Sequence, residues 1–515
     1  MSLAGLFHEA ALRHPEKTAA ICGGERIGYG ALETLSARIA GLLRDLLGSP
    51  QNKVLILAHN AVSSLALFPG CFRANMIACP VNWRLSAGEV ASILDQEPFA
   101  LAFCDSRTLP LLRSAMALRE RSFRVIVLDG EEYPALLAAA EEAPYAPCQA
   151  GDCSIQYFTS GTTGIPKGVL LPDESLEAYV RTYSAVSEWT EEAIYQTSAN
   201  LFHLSGFSAI ISLSIGGTLV LMDQFRMEEF LGTMEREGVT RVSLVPTLIN
   251  RVLCEGKYRE YDFGRVRKIV YGGAPMLPEQ IRNVQRHLSC DTEIAYGCTE
   301  TCNISVLTAE DHRRILRGEL EEKKLLSVGR PAPGVQVRIM GEDRKERPTG
   351  AIGSITVKSP FLYKGYSGPD SRRAFSPDGY HDTGDLGYRD EDGYIYIVDR
   401  KHDMIVCGGE NIYPKEVELC ISRMEDAVSQ VSVVGKPDHL WGEIVVAFVV
   451  PRRAVTAEEI VDFCKKTIAS YKKPRRVIFL KELPVNANGK VDKLALRAWL
   501  REHDGEESAP CTKDR

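Results

Sequence analysis

Strand-length apolar runs alternate with helix-length segments through most of this chain, and that alternation limits the fold more than any other feature. "KVLILAHN" precedes a helical stretch beginning at Ala61, and "MIACPVN" follows it. "ALAFCDS" and "FRVIVLDG" enclose another helical stretch, and "VTRVSLVP", "RKIVYGGAP" and "TEIAYGCTE" repeat the pattern further on. Strands that alternate with helices build parallel sheets covered by helices on both faces, and ligands collect at the turns where such strands end. Near residue 400 the texture changes. From Gly350 to Val398 the chain reads as short strands and turns rich in Gly, Asp and Tyr. After it comes a compact α+β pattern, "VSQVSVVG", "EIVVAFVVP" and a helix whose Thr456 and Glu459 have the spacing of a capping box.

With 515 residues, two or more domains are expected. The fold class predicted is α/β. A large N-terminal domain, 1–401, carries parallel or mixed sheets with helices on both faces plus a β-rich subdomain, and a small α+β domain, 402–505, follows. Residues 506–515 read as a disordered tail. The segment from Leu204 to Met222 carries no charge over 19 residues, close to a membrane span in length. Gly216 and Gly217 split it and serines dilute it, so a buried helix followed by the strand "GTLVLMD" fits better.

A net charge of −7 offers nothing to a polyanion, which argues against nucleic acid as a partner. The 14 cysteines are irregularly spaced and form no CxxC pair, so neither a zinc site nor a disulfide framework is suggested. Together with an N-terminus that lacks a basic-then-apolar signal pattern, they point to a reduced, cytoplasmic interior and a soluble chain without a transmembrane segment.

The stretch "YFTSGTTGIPKGVLL", 157–171, has the composition of a phosphate cradle. Glycines let the backbone approach an anion, hydroxyls and N–H groups donate to it, and Lys167 neutralises it. It is not the G-x-x-x-x-G-K-[ST] loop, because Pro166 and Gly168 flank the lysine. By composition alone such a loop is more often just a flexible connection. Likewise Asp385, in "TGDLG", could bind its own turn, Lys490, in "NGKVD", could be a solvated turn lysine, and His203, in "NLFHLSGF", could be a core histidine bonded to backbone.

Taken with five further segments, the loop resembles the signature of the acyl-adenylate-forming superfamily, which includes acyl-CoA synthetases, peptide-synthetase adenylation domains and firefly luciferase. Those segments are "YGGAP" (271–275), "AYGCTE" (295–300), "HDTGDLG" (381–387), "DRKHDMIVCGGENIYPKEVE" (399–418) and "NANGKVDK" (486–493), in the family's order and spacing. The resemblance implies a two-step ligase. ATP and a carboxylate give an acyl-adenylate and pyrophosphate, and a thiol, usually that of CoA, then takes the acyl group.

By the same resemblance, Thr159, Ser160, Gly161, Thr162, Thr163, Gly164 and Lys167 hold the β- and γ-phosphates, and Glu300 with Thr162 holds Mg²⁺. Gly273, Ala274, Pro275, Tyr296, Gly297, Cys298 and Thr299 line the nucleotide slot. Asp385 takes the ribose hydroxyls and Arg400 the ribose and phosphate region. Lys490 reaches the carboxylate and α-phosphate during adenylation. His203, Phe207, Gly272, Gly273, Ala274 and Cys298 form the acyl pocket, generally small side chains that leave room for a ring or a chain. His402 occupies the hinge about which the family's small domain rotates between half-reactions, where Asp or Lys is commoner.

Within the superfamily, Gly408, Gly409 and Trp441 resemble the lining of a pantetheine tunnel, which favours a CoA ligase. The runner-up is a stand-alone ligase loading a carrier protein in trans, since only about 25 residues follow Lys490 and no carrier domain is fused there. Amino-acid adenylation domains usually carry Asp where this chain has His203, so an acid without an α-amine is the expected substrate. No arginine is placed for a second carboxylate, which leaves a monocarboxylic fatty or aryl acid. Luciferase-like oxygenation is disfavoured because "CTKDR" lacks the peroxisomal tripeptide common there. A dead binding module is disfavoured because the lysines, Glu300 and Asp385 are all present. The partners expected are the acid, ATP and CoA, with a homodimer left open.

Overall fold

The computed structural model describes residues 2–160, 166–272, 276–367, 375–407, 410–486 and 490–503. The chain forms two compact units. The first comprises residues 1–337, 356–383 and 390–396, and the second 338–355, 384–389 and 397–515.

Two sheets organise the first unit. Seven strands run in the order Gly365–Tyr366, Pro166–Pro172, Cys153–Ser160, Ile77–Pro80, Lys53–Leu57, Leu101–Cys104 and Arg124–Val127. From Cys153–Ser160 to Arg124–Val127 every pairing is parallel. Ile77–Pro80 and Leu101–Cys104 are buried at every residue, which is why they read as unbroken apolar runs rather than as alternation. The second sheet has nine strands. Its parallel stretch orders Asp291–Cys298, Lys268–Tyr271, Arg241–Leu244, Ile194–Thr197, Thr218–Leu221 and Thr18–Cys22. The helices Val62–Arg73 and Asp173–Val186 each touch strands of both sheets. The predicted parallel α/β architecture is therefore the one observed.

The charge-free segment folds as the helix Phe207–Ser214 and the strand Thr218–Leu221, joined through Gly216 at φ +87°. Among the described residues no helix is long and apolar enough to cross a membrane.

In the second unit, Gly442–Pro451 is the central strand of five. It pairs with Val428–Asp438, Ile405–Cys407 and Arg476–Phe479. Because side chains alternate along a strand, Val445, Ala447 and Val449 enter one core with the helices Pro414–Ser422 and Ala457–Thr467. Val446 and Phe448 enter another with Leu496 and Leu500 of the helix Lys493–Glu502. The capping box forms. Glu459 N–H donates to Thr456 Oγ1 at 3.2 Å, and Thr456 N–H donates to Glu459 Oε2 at 2.7 Å.

Candidate active site

The glycine-rich stretch is flanked by two antiparallel strands. Cys153–Ser160 and Pro166–Pro172 pair in register, with Thr159 opposite Lys167 and Ser160 opposite Pro166. Gly161, Thr162, Thr163 and Gly164 lie outside the described residues. The ladder sets Thr159 directly opposite Lys167.

On the outer side of this pair runs the short strand Gly365–Tyr366, with Tyr366 opposite Val169. This strand places the Tyr366 ring against Lys167, whose Nζ stands 5.5 Å from the ring centroid. The Tyr366 hydroxyl donates to Glu300 Oε1 at 2.9 Å. Burial, and then the Glu300 charge, push the Tyr366 hydroxyl well above the usual phenol range, so it stays a donor. Glu300 occupies the turn between Asp291–Cys298 and Cys302–Leu307, and its carbonyl accepts the Tyr363 N–H at 2.9 Å. The carboxylate is therefore held at both backbone and side chain.

The same turn explains Gly297. A Cβ there would lie 1.7 Å from the Cys302 carbonyl oxygen, so only glycine lets the two strands approach so closely. Next to it, Cys298 N–H donates to Thr301 Oγ1 at 3.1 Å, and Tyr296 pairs with Ser305. Thr299 begins the turn. Gly272 ends the strand Lys268–Tyr271 with no atom closer than 3.5 Å to the position of a Cβ, whereas Gly273, Ala274 and Pro275 lie outside the described residues.

Of the residues expected to form the acyl pocket, His203 sits in a turn. Its N–H donates to the Asn200 carbonyl at 3.1 Å and its carbonyl accepts the Gly206 N–H at 2.8 Å. Phe207 is fully buried and stacks on Tyr179 at 5.8 Å between centroids. Tyr179 also stacks on Tyr183 and accepts a 2.7 Å hydrogen bond from Asn303 Nδ2. Phe207 is thus part of an aromatic row with Tyr179 and Tyr183.

The second unit holds the remaining candidates. Asp385 is buried and accepts from Arg400 Nε at 2.9 Å. His402 is exposed in the turn 401–403, and the neighbouring Asp403 accepts from Arg497 Nη2 at 2.8 Å. Lys490 is bonded to Asn486 on both sides of its backbone. Its N–H donates to Asn486 Oδ1 at 3.1 Å, its carbonyl accepts the Asn486 N–H at 2.8 Å, and its side chain is exposed. Trp441 lies in the turn entering Gly442–Pro451, under the Arg475 guanidinium at 4.0 Å. Gly442 pairs with Cys407, and Gly408 and Gly409 lie outside the described residues.

Tyr366, Tyr363 and Tyr179 were missed by sequence reasoning. The first two belong to "FLYKGYSG", visible only as turn-rich texture, and Tyr179 looks like any apolar position of a helix.

As for a metal, no group of three or more His, Cys, Asp or Glu able to hold one occurs among the described residues. Glu300 supplies a single fixed carboxylate. That suits Mg²⁺, which takes one or two carboxylates and completes its shell with phosphate oxygens and water.

Residues 7–367 match the family model "AMP-binding enzyme", and residues 416–490 match "AMP-binding enzyme C-terminal domain". The chain is 32% identical over 502 residues to the fatty acid–[acyl-carrier-protein] ligase ScoC of Streptomyces coeruleorubidus, covering 95% of this chain and 94% of that one. It is 33% identical to the long-chain-fatty-acid–CoA ligase FadD13 of Mycobacterium tuberculosis, covering 92% and 93%. Among solved structures, the o-succinylbenzoate CoA synthetase of Bacillus subtilis, in complex with its acyl-adenylate, superposes with a TM-score of 0.85 at 29% identity, covering 98% and 99%. The chain belongs to the AMP-binding enzyme family, the adenylate-forming ligases.

Proposed function

We propose that the protein is an ATP-dependent, AMP-forming acyl-CoA ligase acting on a monocarboxylic fatty or aryl acid. The observation that carries this reading is the arrangement of Lys167, Tyr366 and Glu300 beside the glycine-rich segment, a cation and a tethered carboxylate where a nucleotide polyphosphate needs both. The family membership and the full-length likeness to acid–thiol ligases support it.

In the first half-reaction a carboxylate oxygen attacks the α-phosphorus, and the bond to the bridging oxygen breaks to release pyrophosphate. Lys167 and the N–H groups of the glycine-rich segment neutralise the leaving polyanion, and Lys490 the charge gathering at the α-phosphate and carboxylate. Asp385, held by Arg400, accepts hydrogen bonds from the ribose hydroxyls. Glu300 and Thr162 would hold Mg²⁺, which when bound screens the phosphate charge. In the second half-reaction the CoA thiol, losing its proton, attacks the acyl carbonyl and AMP leaves. Gly408, Gly409 and Trp441 line the path of the pantetheine arm. His203, Phe207, Gly272 and Cys298 border the acyl group, with Tyr179 behind Phe207.

A functional boundary at His402, a cytoplasmic location and a homodimer belong to the same reading. The thirteen cysteines of the described residues are all free thiols, which supports a reducing compartment.

The test is a pyrophosphate-release screen over acids of graded length and ring content, with and without CoA. Release of AMP and a thioester product only when CoA is present supports the reading. Acylation of a phosphopantetheinyl carrier protein, with CoA inert, would establish the carrier-loading alternative that the likeness to ScoC keeps in view.

A further inference from the structure

Beneath the Lys167–Tyr366–Glu300 arrangement runs a line of buried polar groups with no place in the reaction just described. Glu97, 2% exposed, forms an ion pair with Lys53. Its Oε1 accepts a 2.5 Å hydrogen bond from Nε2 of Gln156, which is fully buried. The same Nε2 stands 3.3 Å from Ser367 Oγ. Ser367 closes the line by donating to the Gly168 carbonyl, from its N–H at 2.8 Å and from its hydroxyl at 3.3 Å. Gly168 accommodates the Gln156 amide only because it has no side chain. A Cβ there would lie 2.1 Å from Gln156 Nε2 and 2.3 Å from Ser367 Oγ.

Buried charges and amides are costly unless hydrogen-bonded, and the bonds they make hold one arrangement. Here Gln156 Nε2 is bonded, while its buried Oε1 has no partner among the described residues, so the amide is held from one end. What matters is where this one ends. Gly168 is the residue after Lys167, and Ser367 the residue after Tyr366. The strut therefore grips the two backbone segments that carry the phosphate-facing lysine and the tyrosine tethering Glu300.

We infer that Gln156, anchored by Glu97, is a positioning residue for the ATP half-reaction. It sets the spacing of Lys167 from Tyr366, and thereby of the cation from the Glu300 carboxylate. This rests on the ligase reading above. An error of about 1 Å in such a constellation costs roughly a hundredfold in rate, and a lost strut would act on nucleotide binding and adenylation but not on thiolysis.

The experiment compares wild type with Gln156→Leu, which keeps the volume and leaves the Lys53–Glu97 pair intact, and with Ser367→Ala, which removes one hydroxyl from a half-buried position. Three quantities are measured: ATP-dependent pyrophosphate exchange with kcat and KM for ATP resolved, CoA thiolysis of supplied acyl-adenylate, and the melting temperature. For Gln156→Leu a 10- to 100-fold loss in kcat/KM for ATP is expected, with thiolysis within twofold of wild type. Ser367→Ala should show a smaller loss in the same half-reaction alone. Equal losses in both half-reactions would reduce the strut to a folding element, and unchanged exchange in both variants would overturn the inference outright. If Gln156→Leu does not fold, Ser367→Ala decides. Should wild type exchange pyrophosphate with no acid, it is the ligase reading that fails, an outcome distinct from wild-type exchange matched by the variants.

Discussion

At the scale of single residues, the site couples groups whose types were legible but whose neighbours were not. Lys490 is exposed, and its backbone is fastened to Asn486. Lys490→Ala is expected to slow adenylation by roughly 10²–10³-fold, the usual cost of one preorganised donor. Thiolysis of supplied acyl-adenylate should change little, and equal losses in the two steps would remove the assignment. Tyr366→Phe keeps the ring beside Lys167 and deletes only the hydroxyl on Glu300. A hydrogen bond to a charged group is worth about 1.5–3 kcal/mol, so pyrophosphate exchange should fall roughly tenfold or more. Exchange at the wild-type rate would mean that Glu300 needs no tether.

At the scale of elements, the helix Ala309–Leu316 is held to its sheet by a neutral histidine. His312 is fully buried. Its Nδ1 donates to the Thr308 carbonyl at 2.9 Å, leaving Nε2 to accept from the Tyr271 hydroxyl at 3.1 Å. Burial lowers its pKa from 6.5 to about 4. Since the unfolded chain takes up this proton first, stability from this group is complete above pH 6.5 and drains away as pH falls toward 4. The full effect is roughly 3 kcal/mol. Denaturant melts across this range should show that slope in wild type and lose it in His312→Gln, whose plateau will be lower. A slope that persists in the variant would place the titration elsewhere.

The elements themselves were the most legible part of the chain. Each of the apolar runs quoted for the strand–helix alternation contains a strand, and the plainest, Ile77–Pro80 and Leu101–Cys104, are buried at every residue, so they are apolar along their whole length. The Thr456 capping box was equally plain, being a contact between residues three apart. The short strand Gly365–Tyr366 was not. Two residues carry no periodicity, and this pair is a strand only because the edge of Pro166–Pro172 was open to it.

At the scale of the whole molecule, two compact units carry different parts of the proposed chemistry, Lys167 and Glu300 in the first and Asp385, Arg400 and Lys490 in the second. His402 lies in the second, in an exposed turn. If that turn is the hinge the family uses, His402→Pro, which fixes φ near −65° and removes an N–H, should spare adenylation and impair thioester formation by a larger factor. Measuring the half-reactions separately decides it, and normal acyl-CoA synthesis by the variant would place the hinge elsewhere.

What the sequence determined by itself is whatever short-range chemistry can state: the alternation of strand and helix, the helix-then-strand reading of 204–222, the cap, and the motifs that mark an adenylate-forming ligase. What only the tertiary structure decided is which distant residues complete those motifs. Tyr366 meets a carboxylate 66 positions away, and Gln156 meets a serine 211 positions away. Such pairings follow from strand order and register in the folded sheet. A hydrogen-bond partner leaves no mark on the periodicity of either segment, so a glutamine in a buried strand and a tyrosine in a turn look alike whether or not anything answers them.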